Sequence, residues 1–328
     1  MPHVISLLWL LLGLALLVVG AEVMIRGATQ LAKRLGVPTF VIGLTVVAFG
    51  TSMPELATGV GAVLKEESNL IVGAVVGSNV ANIALVLGLA ALIRPAQVRG
   101  GVVRREVPML IAITVAFVAV LFGGVVHRVE AGFLAAGFVA FIIWTLYASR
   151  HLNPEDSALV IETEEESKDE DSNGATKSLP LAGVFIVLGL AMMVLGSDRA
   201  VEGAEQLATA FGVPAFIIGL TLVAFGTSLP EVVTTGVAAI RGHSDLAVGN
   251  VLGSNIFNVL CVIGISGLIG PLEVPEIALR RDAWVMLALT LILLPIMATR
   301  FTISRKEGCV LLAAYAAYIT AVGMGWSI

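Results

Sequence analysis

The chain has 328 residues, of which 58% are hydrophobic and 13% charged, with 35 glycines and a formal net charge of −5. A soluble domain carries roughly 25% charged residues, so a water-soluble globular fold is excluded, and with no basic cluster present nucleic-acid binding is excluded too. Apolar runs of roughly 20 residues, enough to cross about 30 Å of hydrocarbon, recur along the whole length. The prediction is an all-α polytopic membrane protein.

In chain order, five spans are expected near Ile5 to Ile25, Thr39 to Leu64, Leu70 to Ile93, Arg105 to Phe122 and Val129 to Ser149. No Lys or Arg precedes the first run, which is read as a retained helix rather than a signal peptide. A hydrophilic stretch follows, about Arg150 to Ser178, carrying nine acids from Glu155 to Asp171. A cytosolic Ca2+ sensor is one reading of it. Its composition favours a solvated tether, and it is shorter than the roughly 50 residues a folded domain needs. Five more spans are expected near Leu179 to Ala200, Ala215 to Ile240, Leu246 to Ile269, Arg281 to Thr299 and Glu307 to Trp326. Cys261 and Cys309 lie in separate apolar runs without a CxxC or His neighbour and are expected to be buried free thiols.

The two halves are copies. Gly36 to Glu55 matches Gly212 to Glu231 at 16 of 20 positions, at a spacing of 176 residues. The same offset pairs Glu22 with Asp198, Gly77-Ser78-Asn79 with Gly253-Ser254-Asn255, Asn82 with Asn258, and Arg104-Arg105 with Arg280-Arg281. An odd number of spans per copy makes the second enter from the opposite face, so the repeats are inverted. The expected organisation is a first five-helix repeat over 1–150, an acidic cytoplasmic linker over 151–178 and a second, inverted five-helix repeat over 179–328. Fourteen of the 19 basic residues then fall on one side, Arg26, Arg94, Arg150 and Arg241 among them, against Lys65, Arg128, Arg199, Arg280 and Arg281 on the other. The positive-inside rule places the central loop in the cytoplasm and both termini outside the cell membrane.

Each copy sets a carboxylate directly after a proline inside an apolar segment, Pro54-Glu55 and Pro230-Glu231. An acid at membrane depth is costly and marks a functional site by default. The proline has no N–H and displaces the carbonyl four residues back, so a break near Gly50 is expected to free carbonyls around Ala48 to Thr51, with Ala224 as the counterpart. Thr51, Ser52 and Glu55 share a helix face, as do Thr227, Ser228 and Glu231. The third spans add Gly73-x-x-x-Gly77 and Gly249-x-x-x-Gly253, read as helix packing. Ser78 with Asn82 and Ser254 with Asn258 are either further ligands or interhelical hydrogen bonds.

No Lys or Arg lies within the spans that carry these motifs. An uncompensated buried carboxylate takes a proton or recruits a cation, and an anionic cargo is excluded by sign. Every available donor is an oxygen, which suits Ca2+. Zinc or copper would want His or Cys, and His3, His127, His151 and His243 all lie elsewhere. A channel would favour charged rings around a continuous pore. An enzyme would need a nucleophile–base pair, and no His accompanies the motif serines.

The paired Gly-Thr-Ser-x-Pro-Glu and Gly-Ser-Asn stretches resemble the α-repeats of the Na+/Ca2+ exchanger branch of the Ca2+/cation antiporter superfamily, in its prokaryotic type. The resemblance implies a ten-helix antiporter exchanging Na+ for Ca2+ by alternating access, the first and sixth helices sliding as a pair. Glu55 and Glu231 would bind Ca2+ and Na+. Thr51, Ser52, Thr227, Ser228, Ser78, Ser254 and Asn82, with carbonyls near Ala48 and Ala224, would complete the sites. Asn258 stands where several relatives carry Asp, which argues against the K+-dependent branch. Ca2+ and Na+ enter as substrates in a lipid bilayer, with no cofactor, no nucleic acid and no obligate protein partner. Ca2+/H+ exchange is the alternative, because both glutamates can carry protons.

Overall fold

The computed structural model describes residues 2–149, 179–211 and 224–324, without the side chains of 2–4 and 224–225. The acidic linker and the first part of the span expected from Ala215 lie outside the described residues. The first copy opens with α1 (Pro2–Leu35), an unbroken helix of 34 residues. The next span is broken, with α2 (Thr39–Thr51) and α3 (Met53–Leu64) meeting at 41°. Pro54 is the cause. It cannot continue α2, because it offers no N–H to Gly50, yet it is well accommodated in the first turn of α3. After these come α4 (Asn69–Ile93), α5 (102–121) and α6 (Arg128–Ser149).

The second copy repeats the order: α7 (Leu179–Ala210), the short α8 (Ala224–Thr227), α9 (Leu229–Ile240), again with its proline in the first turn, α10 (Ser244–Ile269), α11 (Ala278–Ala298) and α12 (Arg305–Gly323). Among the described residues six helices are long and apolar enough to cross a membrane, or seven with α2 and α3 as one span. α5 and α12 open on charged residues, and α9 is the described end of its span. The order fits ten spans in two inverted repeats.

The third helix of each copy forms the centre. The apolar windows of α4 and α10 are 72% and 83% buried, against 22% for α6 and 28% for α7. Peripheral helices turn Leu8, Phe133, Ile143 and Val187 outward, the surface that lipid covers. Both central helices widen into a π-helical stretch that starts at the repeated asparagine, Asn82–Val86 and Asn258–Ile263. π-turns of this kind mark functional segments.

α1 and α7 lie against each other along a seam of glycines spaced by seven: Gly13, Gly20 and Gly27 on one, Gly189, Gly196 and Gly203 on the other. A Cβ added at Gly13 would sit 2.3 Å from the Ala200 nitrogen, and one at Gly196 would sit 2.8 Å from the Gly13 carbonyl oxygen. The backbones therefore touch, as small residues allow within membranes.

The copies clasp each other at both ends of the bundle. β1 (Ala96–Gln97) pairs antiparallel with β4 (Thr302–Ile303), and β2 (Val125–Val126) with β3 (Leu272–Glu273). Beside each ribbon an arginine of one copy caps the central helix of the other. Arg128 donates to the Ile269 carbonyl at 2.9 Å, and Arg305 to those of Leu92 and Ile93 at 3.2 and 3.4 Å. These carbonyls have no intrahelical partner and sit at the negative end of the helix dipole. Both cysteines are free; Cys261 is buried as expected, but Cys309 is exposed on the outward side of α12.

The seam yields a stability prediction. Gly196→Val forces a branched side chain onto the α1 backbone and should cost about 1–3 kcal/mol or more, read as a lower melting temperature in detergent. Gly183→Val on the same helix, with no described neighbour within 4 Å of its Cβ position, should change it little.

Candidate cation site

The site forms where the two breaks, α2/α3 and α8/α9, meet the central helices. Glu55 lies in the first turn of α3 and Glu231 in the first turn of α9, 7% and 0% exposed. The broken geometry carries them to the same depth from opposite repeats, close enough for their charges to interact. The Ser52 hydroxyl donates to Glu231 Oε1 at 3.2 Å, with Thr51 and Ser254 also bordering that carboxylate and Ser228 bordering Glu55. Both oxygens of Glu55 and Oε2 of Glu231 are buried without a hydrogen-bond partner. Such atoms are expensive to leave bare, and they face no Lys or Arg of their own spans.

The motif residues interlock across the two copies. Ser78 and Ser228 hydroxyls are 3.2 Å apart, and Thr51 and Ser254 hydroxyls 3.4 Å. Asn258 Nδ2 donates to Ser78 Oγ at 3.1 Å and Asn79 Oδ1 at 3.0 Å, which leaves Asn258 Oδ1 buried and unpartnered. Asn82 is fully buried, with neither amide atom hydrogen-bonded. Thr227 ends α8 half-buried beside Ser228. Of the twelve positions singled out from the sequence, the structure thus brings Glu55, Glu231, Thr51, Ser52, Ser78, Ser228, Ser254 and Asn258 into one contiguous set. Asn82 heads the matching π-turn.

The backbone differs from expectation in one respect. The Ala48 carbonyl is not freed: it accepts from the Ser52 N–H at 3.0 Å and lies 3.3 Å from Thr51 Oγ1. α2 persists to Thr51 and the break falls at Ser52, with the Gly50 carbonyl, which Pro54 cannot serve, taking a backbone N–H of the cap instead. In the second copy the matching Gly226 carbonyl receives the Ser197 hydroxyl of α7 at 2.6 Å. Position 21, the counterpart of Ser197, is Ala21. Ala224 opens α8, and its side chain lies outside the described residues.

The glycine pairs also differ. Cβ atoms at Gly249 and Gly253 would lie 2.5 and 2.4 Å from the Phe40 and Leu44 carbonyl oxygens, so α10 packs backbone to backbone on the π-turn Gly43–Val47. The segment that would correspond for Gly73 and Gly77, residues 216–220, lies outside the described residues.

Motif reading missed a second group of polar residues. Asn79 and Asn255 stand inside the repeated Gly-Ser-Asn motif, and Asn79 bonds the Asn255 carbonyl at 3.3 Å. Asn250, Thr234 and Thr235 are fully buried, and Asn250 reaches Thr51 and Thr235. Asn250 lies one turn before Ser254 on the same face, a signal present in the sequence. The repeat hides it, because the corresponding residue is Ala74.

Among the described residues no group of three or more His, Cys, Asp and Glu side chains lies together. The donor set is two carboxylates amid neutral hydroxyl, amide and carbonyl oxygens, buried at the junction of inverted repeats. Fold and site together define a multi-pass membrane carrier of the broken-helix, inverted-repeat kind. The chain belongs to the sodium/calcium exchanger protein family, whose model matches residues 5–147 and 181–324. It is 37% identical to a putative antiporter, CaxA, of Alkalimonas amylolytica, over 96% of this chain and 97% of that protein. It is 36% identical to the sodium/calcium exchanger MaX1 of Methanosarcina acetivorans, over 96% and 97%. A solved structure of the sodium-calcium exchanger NCX_Mj, soaked with zero Na+ and Ca2+, matches with a TM-score of 0.82 at 29% identity, covering 97% of this chain and 99% of that one.

The hydroxyl on the Gly226 carbonyl can be tested directly. Ser197→Ala leaves that oxygen without its donor and should destabilise the protein by about 1–3 kcal/mol, measured as a melting shift in detergent.

Proposed function

We propose that this protein is a Na+-driven Ca2+ antiporter whose sites are built around Glu55 and Glu231. The observation that carries the reading is the pair of neighbouring buried carboxylates with three unpartnered oxygens, ringed by neutral oxygens. Two negative charges balance one Ca2+, a cation that takes six to eight hard oxygens at about 2.3–2.6 Å. Thr51, Ser52, Ser78, Ser228 and Ser254 supply hydroxyls, Asn258 Oδ1 and Asn82 amide oxygens, with Thr227 and the Ala48 and Ala224 carbonyls at the margins. The same oxygens suit several Na+ ions. One set of carboxylates serving either cargo makes the two compete, which is what exchange requires.

Coupling follows from the charge of the empty site. With neither ion bound, two carboxylates lie near each other in a low-dielectric cavity, and moving that state across the membrane is penalised. The carrier then reorients when loaded. We assign the reorientation to α1 and α7, held together by their glycine seam, sliding as a pair against the bundle. Both termini are placed outside and the acidic linker in the cytoplasm, where the excess of Arg and Lys lies. Asn82 and Asn258 are both neutral, so no third carboxylate is available for an additional K+.

Purified protein in liposomes tests the reading with 45Ca2+. Uptake should follow an outward Na+ gradient, be indifferent to K+ and fail under a pH gradient alone. Flux driven by pH without Na+ would install Ca2+/H+ exchange instead. Glu55→Gln and Glu231→Gln should each reduce uptake by about 100-fold or more while the protein still inserts and folds. Near-normal uptake by either variant would remove that residue from the site.

The amide at 258 gives a separate expectation. Asn258→Asp adds a charge beside the pair and should either lower the Ca2+ concentration for half-maximal uptake or make the flux sensitive to pH or K+. A variant unchanged in all three would place Asn258 outside the ion coordination.

A further inference from the structure

Asn250 lies behind the site, not in it. It sits on α10 one turn before Ser254 and is completely buried. Its Oδ1 is 3.2 Å from Thr51 Oγ1, and its Nδ2 donates to Thr235 Oγ1 on α9 at 3.0 Å. Thr235 is likewise fully buried. A chain of three polar groups therefore runs from the core into the site: Thr235, Asn250, Thr51. Neither backing residue is repeated in the first copy, where positions 74 and 59 are Ala74 and Gly59.

The chemistry of a hydroxyl gives this chain a consequence. Thr51 Oγ1 has one proton and two lone pairs. As a cation ligand it must present a lone pair, so its proton must point away from the ion. With a cation on the Glu231 carboxylate that Thr51 borders, three acceptors remain for that proton: Asn250 Oδ1 at 3.2 Å, the Ala48 carbonyl at 3.3 Å and Ser254 Oγ at 3.4 Å. The Ala48 carbonyl is slightly farther and shares its oxygen with the Ser52 N–H, and Ser254 faces the site. An amide oxygen can only accept, and the Asn250 amide is held with its oxygen on Thr51 because its NH2 is committed to Thr235. The proton of Thr51 goes to Asn250, and its lone pairs turn toward Ser254 and Glu231. Without Asn250, the more distant Ala48 carbonyl is left to hold that proton, which is then freer to turn to the carboxylate side, where it competes with the cation.

We infer that Asn250, held by Thr235, is a positioning residue that fixes the Thr51 hydroxyl as a cation acceptor and so sets Ca2+ affinity. This role rests on the antiporter reading above.

A mutant cycle in Na+-loaded proteoliposomes tests it, with 45Ca2+ uptake giving the half-saturating Ca2+ concentration and the maximal rate separately. Removal of the group behind a metal ligand costs roughly 10- to 100-fold in affinity. Asn250→Ala should accordingly raise half-saturation about 10-fold while the maximal rate stays within about twofold. Thr51→Val should raise it too, and the double variant should lie within about twofold of Thr51→Val alone, because both changes remove one interaction. Asn250→Asp keeps an acceptor on Thr51 and adds a buried negative charge, so its half-saturating Ca2+ concentration should lie at or below the wild-type value. If Asn250→Ala does not fold, Thr235→Val carries the test, with a several-fold rise expected. Multiplicative effects of Asn250→Ala and Thr51→Val, an unchanged half-saturation, or loss confined to the maximal rate would each overturn the role while leaving the antiporter reading intact. Wild-type protein that takes up no Ca2+ would overturn that reading, and this role with it.

Discussion

Two carboxylates buried close enough to interact, with no basic side chain in their spans, are the constraint on which the rest of this structure depends. A lone carboxylate in a low-dielectric interior is held there only by a counter-charge, a proton or hydrogen bonds. Here hydrogen bonds supply part for Glu231, through Ser52, and both oxygens of Glu55 remain bare. The fold therefore holds its most expensive groups in a state that a cation relieves. Every neighbouring feature serves that arrangement: prolines that bring each acid to the start of a helix, central helices widened into π-turns, and glycines that let α10 approach α2 at backbone distance. Folding energy has to come from elsewhere, and much of it is the apolar packing of α4 and α10 at the centre.

The site has the symmetry of a duplicated chain, but not its chemistry. The outer frame is nearly exact in its pairing, with Arg128 and Arg305 capping the opposite central helix and a short ribbon beside each. Near the carboxylates the copies diverge. Ser197 has Ala21 as its counterpart, Thr235 has Gly59 and Asn250 has Ala74. All three polar members fall in the second copy: Asn250 bonds Thr51, Thr235 bonds Asn250, and Ser197 bonds the Gly226 carbonyl. Thr51 of the first copy is thus bonded by second-copy Asn250, so the polar cluster is built jointly rather than one half per repeat. A carrier that meets different ion concentrations on its two faces has no need of equal half-sites. Unequal ones are what the packing provides.

How much of this was legible in the sequence depended on whether a residue announced itself twice. Composition fixed the solvent, and the repeat gave the spans, their inversion and the two broken helices. Glu55, Glu231 and their motif serines were found because each recurs at an offset of 176. The same logic passed over Asn250, Thr235 and Ser197, whose counterparts are small and apolar. The position of the break was misjudged by two residues, because a proline disrupts the turn before it while the preceding helix still closes its last bond onto Ala48. Cys309 was assigned to the interior from hydropathy alone. In a membrane an apolar surface faces lipid as readily as protein, so hydropathy cannot separate the two.

The glycine seam bears on how such a site can be opened. α1 and α7 touch backbone to backbone at glycines spaced every seven residues, with Leu17, Met24 and Met193 buried beside those contacts. Helices held by interdigitated side chains move in steps, because packed interfaces are bistable rather than continuously deformable. A smooth, glycine-lined contact instead keeps the pair together as a unit. Its attachment to the broken helices uses few directional bonds, among them Ser197 to the Gly226 carbonyl, Thr234 to Met193 at 3.6 Å and Glu22 to Arg241 at 2.9 Å. The central bundle, in contrast, is clasped at both ends by ribbons and arginine caps. On the proposed reading the division of labour follows from these contacts. The carboxylates stay fixed on a braced core, and the two long helices, tied to each other more firmly than to that core, are the part free to move.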